Sequence, residues 1–343
     1  MRELIGHTRV AAALGERAAR GDLAQAFVLS GPHAVGKHTL ALAMARTFAC
    51  ESKVAGGCGG CLGCRKIDSG SHPDVVSVAR QLERKGTVDE AKNITIEQIR
   101  EIQQDLALRP LEARRRVVII DDAADLSEAA EVALLKTLEE PPAHALLLLV
   151  TPTPARLLPT VLSRIQPIAL RLVPHADIAA GLAARFGKDA AKHADGAGGR
   201  PGIAIRMVTS EVERGARAAL DQELYGLIGA RLTERFAWAA DLSDEKDTER
   251  RRRTIDLRLA HWSELLRDAV FAAIGAGERA ARGDRAAQSA ALAASVPSRA
   301  LVDTLLLLER FHEDLRDNAN PRAMLELLAL KLPHSAAVKG PTA

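Results

Sequence analysis

Aromatic residues are scarce in this chain of 343 residues: two Trp, one Tyr and six Phe amount to 3%. A surface that stacks unpaired bases on exposed rings is therefore not expected. Charge of one sign is also lacking. Forty-seven Lys and Arg against 44 Asp and Glu leave a formal net charge of +3, too little to coat nucleic acid unaided, although local basic patches are allowed. No apolar run approaches membrane-spanning length and Met1-Arg2-Glu3 opens no signal peptide. No membrane partner is expected, and the expected address is the cytoplasm. Cysteine is limited to four residues, all between Cys50 and Cys64, which without a secretion signal points to a metal and not to a disulfide framework. The rest of the composition, 47% hydrophobic and 27% charged, is that of an ordinary globular protein long enough for two or three domains.

Residues 27–45 organise the chain. Phe27, Val28 and Leu29 read as a buried strand, Ser30-Gly31-Pro32 breaks it, and Leu40, Ala41, Met44 and Ala45 then recur at helical spacing. Within that context Gly31, Gly36 and Lys37 match the spacing G-x-x-x-x-G-K of a phosphate-binding loop. Such a loop aims backbone N–H groups at phosphate oxygens, adds a helix N-terminus and supplies a lysine point charge. Where a hydroxyl residue should ligate magnesium stands His38, whose imidazole is a poor ligand for that hard ion. Thr39 carries a hydroxyl, but one position further round a helix it points roughly 100° away.

The second half of a nucleotide site follows later. Val117 to Ile120 is a continuous apolar run of the kind found in central parallel strands, and Asp121 and Asp122 close its carboxyl end, where α/β sheets hold ligands. An acid at that place orients magnesium in triphosphate sites. Arg114, Arg115 and Arg116 ahead of the strand read as a solvated turn.

The cysteines are spaced Cys50-x7-Cys58-x2-Cys61-x2-Cys64. A two-residue gap lets a tight turn aim two thiolates at one tetrahedral ion, and the glycines around them supply a permissive backbone. Four ligands leave no open position, so a zinc ion here would be structural, with Lys53, Arg65 and Lys66 able to offset the thiolate charge. The bland alternative is four reduced cysteines.

Elsewhere the pattern alternates between strands and helices up to about residue 173. A helix is expected over residues 4–20, a strand over 72–78, a polar surface loop over 81–93, and an amphipathic helix over 94–108 on the stripe Ile96, Ile99, Ile102 and Leu106. Ser127 should cap a helix to Leu138, followed by a strand at 146–150, a short helix at 157–165 carrying Ser163 and Arg164, and a strand at 168–173. Two or three short helices occupy 175–208. Residues 211–332 read as helical, with breaks near 243–244, 275–277 and 318–321, and the end of the chain as a frayed tail.

Taken together, the phosphate loop, the four-cysteine insert, VVIIDDAADLSEAAEVALLKTLEEPP, TPTPARLLPTVLSRI and the helical last third resemble the delta-prime subunits of bacterial DNA polymerase III clamp loaders, within the AAA+ group. The resemblance implies an α/β AAA+ phosphate-loop domain over 1–173, a parallel sheet with helices on both faces and the zinc module 50–64 inserted. A helical lid over 174–209, an all-α collar over 210–333 and a flexible tail over 334–343 would follow. It further implies a hetero-pentameric ring with gamma/tau and delta subunits that opens a sliding clamp and places it on primed DNA. Arg164, with Ser163, would be an arginine finger acting on a neighbour's ATP. Motor subunits of these loaders carry Thr or Ser after the lysine, Asp-Glu after the strand and an arginine in the lid. This chain has His38, Asp122 and Gly202 there, and Ile165 where the finger motif has cysteine. ATP or ADP at a degenerate site formed by Gly31, Gly36, Lys37, His38, Thr39, Asp121 and Asp122 is thus expected, without independent ATPase activity. The alternatives are an ATP-hydrolysing gamma/tau-like motor, and a zinc-ribbon nucleic-acid binder on a degenerate nucleotide fold.

Overall fold

The computed structural model describes residues 4–78, 93–276, 284–316 and 319–335. The described chain divides into two compact units, one of residues up to 181 with 199–203, the other of residues 182–198 and from 204 onward.

In chain order the first unit comprises α1 (Thr8–Arg20), β1 (Ala26–Ser30), α2 (Lys37–Ala49), α3 (Leu62–Asp68), β2 (Val75–Val78), α4 (Ile96–Ala107), β3 (Arg116–Ile120), α5 (Glu128–Glu139), β4 (Ala145–Thr151), α6 (Pro159–Leu162) and β5 (Gln166–Ala169). The five strands form one sheet in the order β2-β3-β4-β1-β5, every pair parallel. Because helices cover both faces, each central strand is a continuous apolar run with a polar residue only at one end (Ser30, Arg116 or Thr151), and alternate residues serve opposite cores. Phe27, Leu29, Val117, Ile119, Leu146 and Leu148 pack with α1 and α2. Val28, Val118, Ile120, Leu147 and Leu149 pack with Ile99, Ile102 and Leu106 of α4 and Leu134 of α5.

Local signals set the helix starts. Thr95 and Gln98 form a reciprocal capping box at α4, and the Ser127 hydroxyl accepts from the N–H of Ala130 at α5. Three expectations are corrected. The first helix starts at Thr8, not residue 4, because Gly6 and His7 both take left-handed backbone (φ 76° and 55°). The short helix spans only Pro159–Leu162, ending before Ser163. The last strand is β5 at 166–169 and not 168–173. Its register runs from Phe27↔Gln166 to Ser30↔Ala169, and as an edge strand it accepts the polar Gln166 and donor-less Pro167 that hid it in the sequence. Leu170 and Val173 are buried outside the strand. The loop expected at 81–93 lies, except for Asn93, outside the described residues, as do Gly277, Asn318 and most of the tail.

Arg114, Arg115 and Arg116 are not a solvated turn. Arg116 is buried with its guanidinium 3.3 Å from Asp105 and 3.5 Å from Asp74, while Arg114 and Arg115 reach the carbonyls of Thr47 and Leu23 and sit over the Phe48 ring. Asp74 is fully buried and accepts three backbone N–H groups, from Leu111 (2.8 Å), Glu112 (2.7 Å) and Ala113 (2.8 Å). Burial alone would raise its pKa, but those donors hold it below the ordinary carboxylate value. Asp74→Asn is expected to destabilise the chain by about 3 kcal/mol, since an amide cannot accept all three bonds. A depressed carboxylate contributes stability above its unfolded pKa and loses it as pH falls through the folded one. The gap between wild type and Asp74→Asn in chemical denaturation should therefore be full at neutral pH and shrink below about pH 4.

Helices α7 (His175–Phe186) and α8 (Pro201–Thr209) each have residues in both units, and the rest of the second unit is helical: α9 (Glu211–Gly229), α10 (Leu232–Ser243), α11 (Thr248–Ala273), α12 (Asp284–Ser295), α13 (Ser298–Arg316) and α14 (Pro321–Lys331). The chain also breaks near 230 and 296, which the sequence pattern did not separate. Both tryptophans and the tyrosine meet here. Trp262 is fully buried, 5.7 Å from the Trp238 ring, and its indole N–H donates to the Leu220 carbonyl. Arg235, 2% exposed, donates to the carbonyls of Leu227, Ile228, Leu332 and Pro333, so one guanidinium caps the ends of α9 and α14.

Candidate functional site

β1 delivers the chain to the phosphate loop at its carboxyl end, and α2 begins with Lys37. Gly31 is obligatory there. Its φ is 134°, and a Cβ would lie 2.1 Å from the Leu170 carbonyl oxygen beyond β5. Lys37 Nζ donates to the loop's own carbonyls, Gly31 (2.8 Å) and Pro32 (2.9 Å). Burial lowers its pKa to about 8, against the opposing pull of Asp121 and Asp122. β3 brings Asp121 to the same place, and its Oδ2 lies 2.8 Å from His38 Nδ1. The hydrogen bond to Asp121 raises the His38 pKa over the opposing effect of burial, while the Asp121 carboxyl is lowered by His38 despite its own desolvation. Asp122 takes left-handed backbone at φ 52°, with its N–H bonded to Asp121 Oδ1 at 3.1 Å. Thr39 is half-buried.

The residues of a magnesium site therefore do not fit that ion. The first-turn hydroxyl is absent, and the strand-end carboxylate is held by the imidazole in its place. The pairing of His38 with Asp121 was not read from the sequence, although a histidine after the loop lysine and an acid after the central strand were both noted. Gly202, at the place expected for a lid arginine, donates its N–H to the Ala34 carbonyl at 2.9 Å. A Cβ there would lie 3.0 Å from that oxygen and 3.1 Å from the Ala34 Cβ, so the close approach favours glycine.

The four cysteine sulfurs lie within 4.8 Å of one another. Tetrahedral zinc with bonds of about 2.3 Å would space them about 3.8 Å apart, so the cluster fits a metal ion after small adjustment. Cys50 and Cys64 are buried, Cys58 and Cys61 half-exposed. The N–H of Cys61 donates to Cys58 Sγ (3.4 Å) and that of Cys64 to Cys61 Sγ (3.5 Å). N–H groups of Gly60 and Cys61 lower the Cys58 thiol to about 6, whereas burial pushes Cys64 up to about 12. Bringing buried sulfurs together as thiolates is costly unless a cation offsets their charge. Lys66 is not free for that task, because both Glu112 carboxylate oxygens engage its Nζ at 2.6 and 2.7 Å. The insert is fixed to α2: Cys50 ends that helix, Gly56 N–H donates to Thr47 Oγ1, and Arg46 pairs with Asp68.

Ser163 and Arg164 follow α6 directly. Arg164 Nη2 and Nε lie 2.8 and 3.1 Å from Glu139 Oε1, and Nη1 donates to the Thr160 carbonyl (2.9 Å) and Ser163 Oγ (3.2 Å). The start of α6 is held by Glu131, a buried carboxylate that accepts the Leu158 N–H at 2.7 Å and whose pKa is raised by burial. Thus α5 contacts α6 through two acids eight residues apart, Glu131 and Glu139. Neither contact was read from the sequence, although both acids stand in the segment VVIIDDAADLSEAAEVALLKTLEEPP.

The parallel sheet, the loop after β1 and the acid after β3 define an AAA+-type phosphate-loop domain, joined to a mostly helical remainder. Residues 6–174 match the family described as "DNA polymerase III, delta subunit". The chain is 34% identical over 163 residues to DNA polymerase III subunit tau of Salmonella typhimurium, covering 47% of this chain and 24% of that protein. It is 31% identical over 173 residues to DNA polymerase III subunit gamma of Buchnera aphidicola, covering 50% and 45%. The match thus spans less than half the length of either relative. Among solved structures, a DNA polymerase III gamma subunit-related protein of Thermotoga maritima aligns over 92% of this chain and 97% of its own, at 15% identity and a TM-score of 0.43. Residues 6–174 are a DNA polymerase III delta-prime-like domain, homologous to the tau and gamma subunits named above. Among the described residues, no single helix is long and apolar enough to cross a membrane.

Proposed function

We propose that this chain is the delta-prime subunit of a DNA polymerase III clamp loader. It completes a hetero-pentameric ring with gamma/tau and delta subunits, helps place the sliding clamp on primed DNA, and donates Arg164 to a neighbour's ATP. The observation that carries this reading is the His38–Asp121 pair at 2.8 Å, which occupies the corner where a motor subunit would hold its magnesium. Asp122 in place of glutamate and Gly202 in place of a lid arginine support it further. A water-positioning carboxylate drawn back by about 1 Å can cost on the order of 100-fold in rate. In the same reading residues 174–209 are a lid, residues 210–333 a collar through which the ring assembles, and the four cysteines hold a structural zinc.

The gamma/tau-like motor is the second reading, favoured by the names of the relatives at 31–34% identity. The two differ in a simple assay. The purified chain alone should turn over ATP far below about 1 s⁻¹, the lower end of ordinary phosphoryl-transfer rates. Mixed with gamma/tau and delta subunits, it should co-elute as one complex and be required for clamp loading onto primed DNA. Turnover by the isolated chain at ordinary rates, abolished by Lys37→Ala, would establish the motor instead.

A further inference from the structure

We infer that the phosphate loop binds its nucleotide without a divalent cation, the His38–Asp121 pair standing where the ion would sit. The inference rests on the reading of residues 31–38 as a nucleotide site and concerns what that site demands of its ligand: an uncomplexed nucleoside di- or triphosphate.

Two protein groups ordinarily hold magnesium in such a loop, a hydroxyl one residue after the lysine and a carboxylate at the end of the third strand. In this chain the two positions are bonded to each other. His38 Nδ1 and Asp121 Oδ2 lie 2.8 Å apart, and the second Asp121 oxygen accepts the Asp122 N–H at 3.1 Å. Magnesium demands octahedral oxygen ligands at about 2.0–2.1 Å and gives up water reluctantly. To enter, it would have to break the imidazole–carboxylate bond and turn the ring aside, without the hydroxyl that ordinarily completes its shell.

Phosphate recognition does not need the ion in the same way. The loop still opens α2, whose first-turn N–H groups and dipole favour an anion. Lys37 Nζ rests on two carbonyls of the loop itself, Gly31 and Pro32, and can exchange those weak acceptors for phosphate oxygens, which bond a cation more strongly. Beside it, the His38 ring is 42% exposed, and its bond to Asp121 raises its pKa and so favours the doubly protonated form that donates to an anion. Asp121 and Asp122 are the acidic groups that act on His38 and Lys37, and the first is already committed to the imidazole.

The test is equilibrium binding of ADP and of ATP to the purified full chain, once with excess magnesium and once with excess EDTA. The affinity is expected to be the same in both. His38→Ser supplies the hydroxyl and frees Asp121, so its affinity should become magnesium-dependent, by about tenfold or more. His38→Asn, which breaks the pair without offering a hydroxyl, should weaken binding in EDTA and gain nothing from magnesium. Wild-type binding that tightens tenfold or more with magnesium overturns the inference while leaving the nucleotide-site reading in place. Absence of binding by either nucleotide in both conditions overturns both. Lys37→Ala should abolish binding in both conditions, and persistence there would put the nucleotide elsewhere and overturn the inference too.

Discussion

Chelation of the proposed zinc is expected to unfold the insert at residues 50–64 while leaving the sheet in place. The reason lies in what holds that segment. Its backbone is rich in glycine, Val54 and Leu62 point to solvent, and the side chains that turn inward are mainly the sulfurs of Cys50 and Cys64. Without a cation, the buried thiols face one another with no apolar core to compensate. With zinc they gain a closed tetrahedral site, and structural zinc contributes about 10–16 kcal/mol in small zinc modules. The end of α3 is secured differently, by Ile67 in the sheet core and by the Arg46–Asp68 pair, so the disturbance should stop near residue 64. Metal analysis should return about one zinc per chain. Cys64→Ser, which removes a fully buried ligand, should release the metal at chelator levels the wild type survives and open residues 50–64 to limited proteolysis. Zinc-free protein that resists proteolysis there, with all four thiols promptly titratable, would sink the proposal. Since Cys50 also ends α2, loss of the ion should fray the far end of the helix that carries Lys37 and His38.

Much of the fold was legible because its signals are local. Apolar runs as long as Val117–Ile120 can only be central strands when helices alternate with them, and the Thr95 and Ser127 caps form with groups three residues away. Features set by distant partners were not legible. Gln166-Pro167 makes a strand only because β1 offers an edge, and Arg116 is buried only because Asp74 and Asp105 come to meet it. The candidate site divides along the same line. Gly31, Gly36, Lys37 and the cysteine spacing are contiguous patterns and were read directly. The His38–Asp121 bond spans 83 positions, and no rule of spacing pairs those two residues. Glu131 and Glu139 were hidden for another reason: an acid on a helix is ordinarily solvated, and only the approach of α6 gives these two a partner.

Arg164→Ala is expected to leave the chain folded and able to join its partners, yet to slow hydrolysis at the neighbouring ATP site by about 10³–10⁵, the effect of removing an arginine finger. Its surroundings are those of a group held ready for use. The side chains of Arg164 and Glu139 are 36% and 52% exposed, and an ion pair so open to solvent contributes only about 0–1 kcal/mol. A finger effect of 10³–10⁵ corresponds to roughly 4–7 kcal/mol. A phosphate presented by a neighbour would therefore draw the guanidinium away from Glu139 at little cost. The backbone that carries it is better fixed, since Glu131 holds Leu158, the residue just before α6, from inside the core. Arg164→Lys should be impaired almost as severely, because a point charge cannot match the planar fork on phosphate oxygens. Glu139→Gln separates this role from a structural one. It keeps an acceptor near Nε but removes the opposing charge, so turnover in the assembled complex should be unchanged or faster. If Glu139→Gln slows hydrolysis as much as Arg164→Ala does, Arg164 acts by holding α5 and α6 together and the finger mechanism is wrong. Wild-type hydrolysis and clamp loading by Arg164→Ala complexes would refute it more directly.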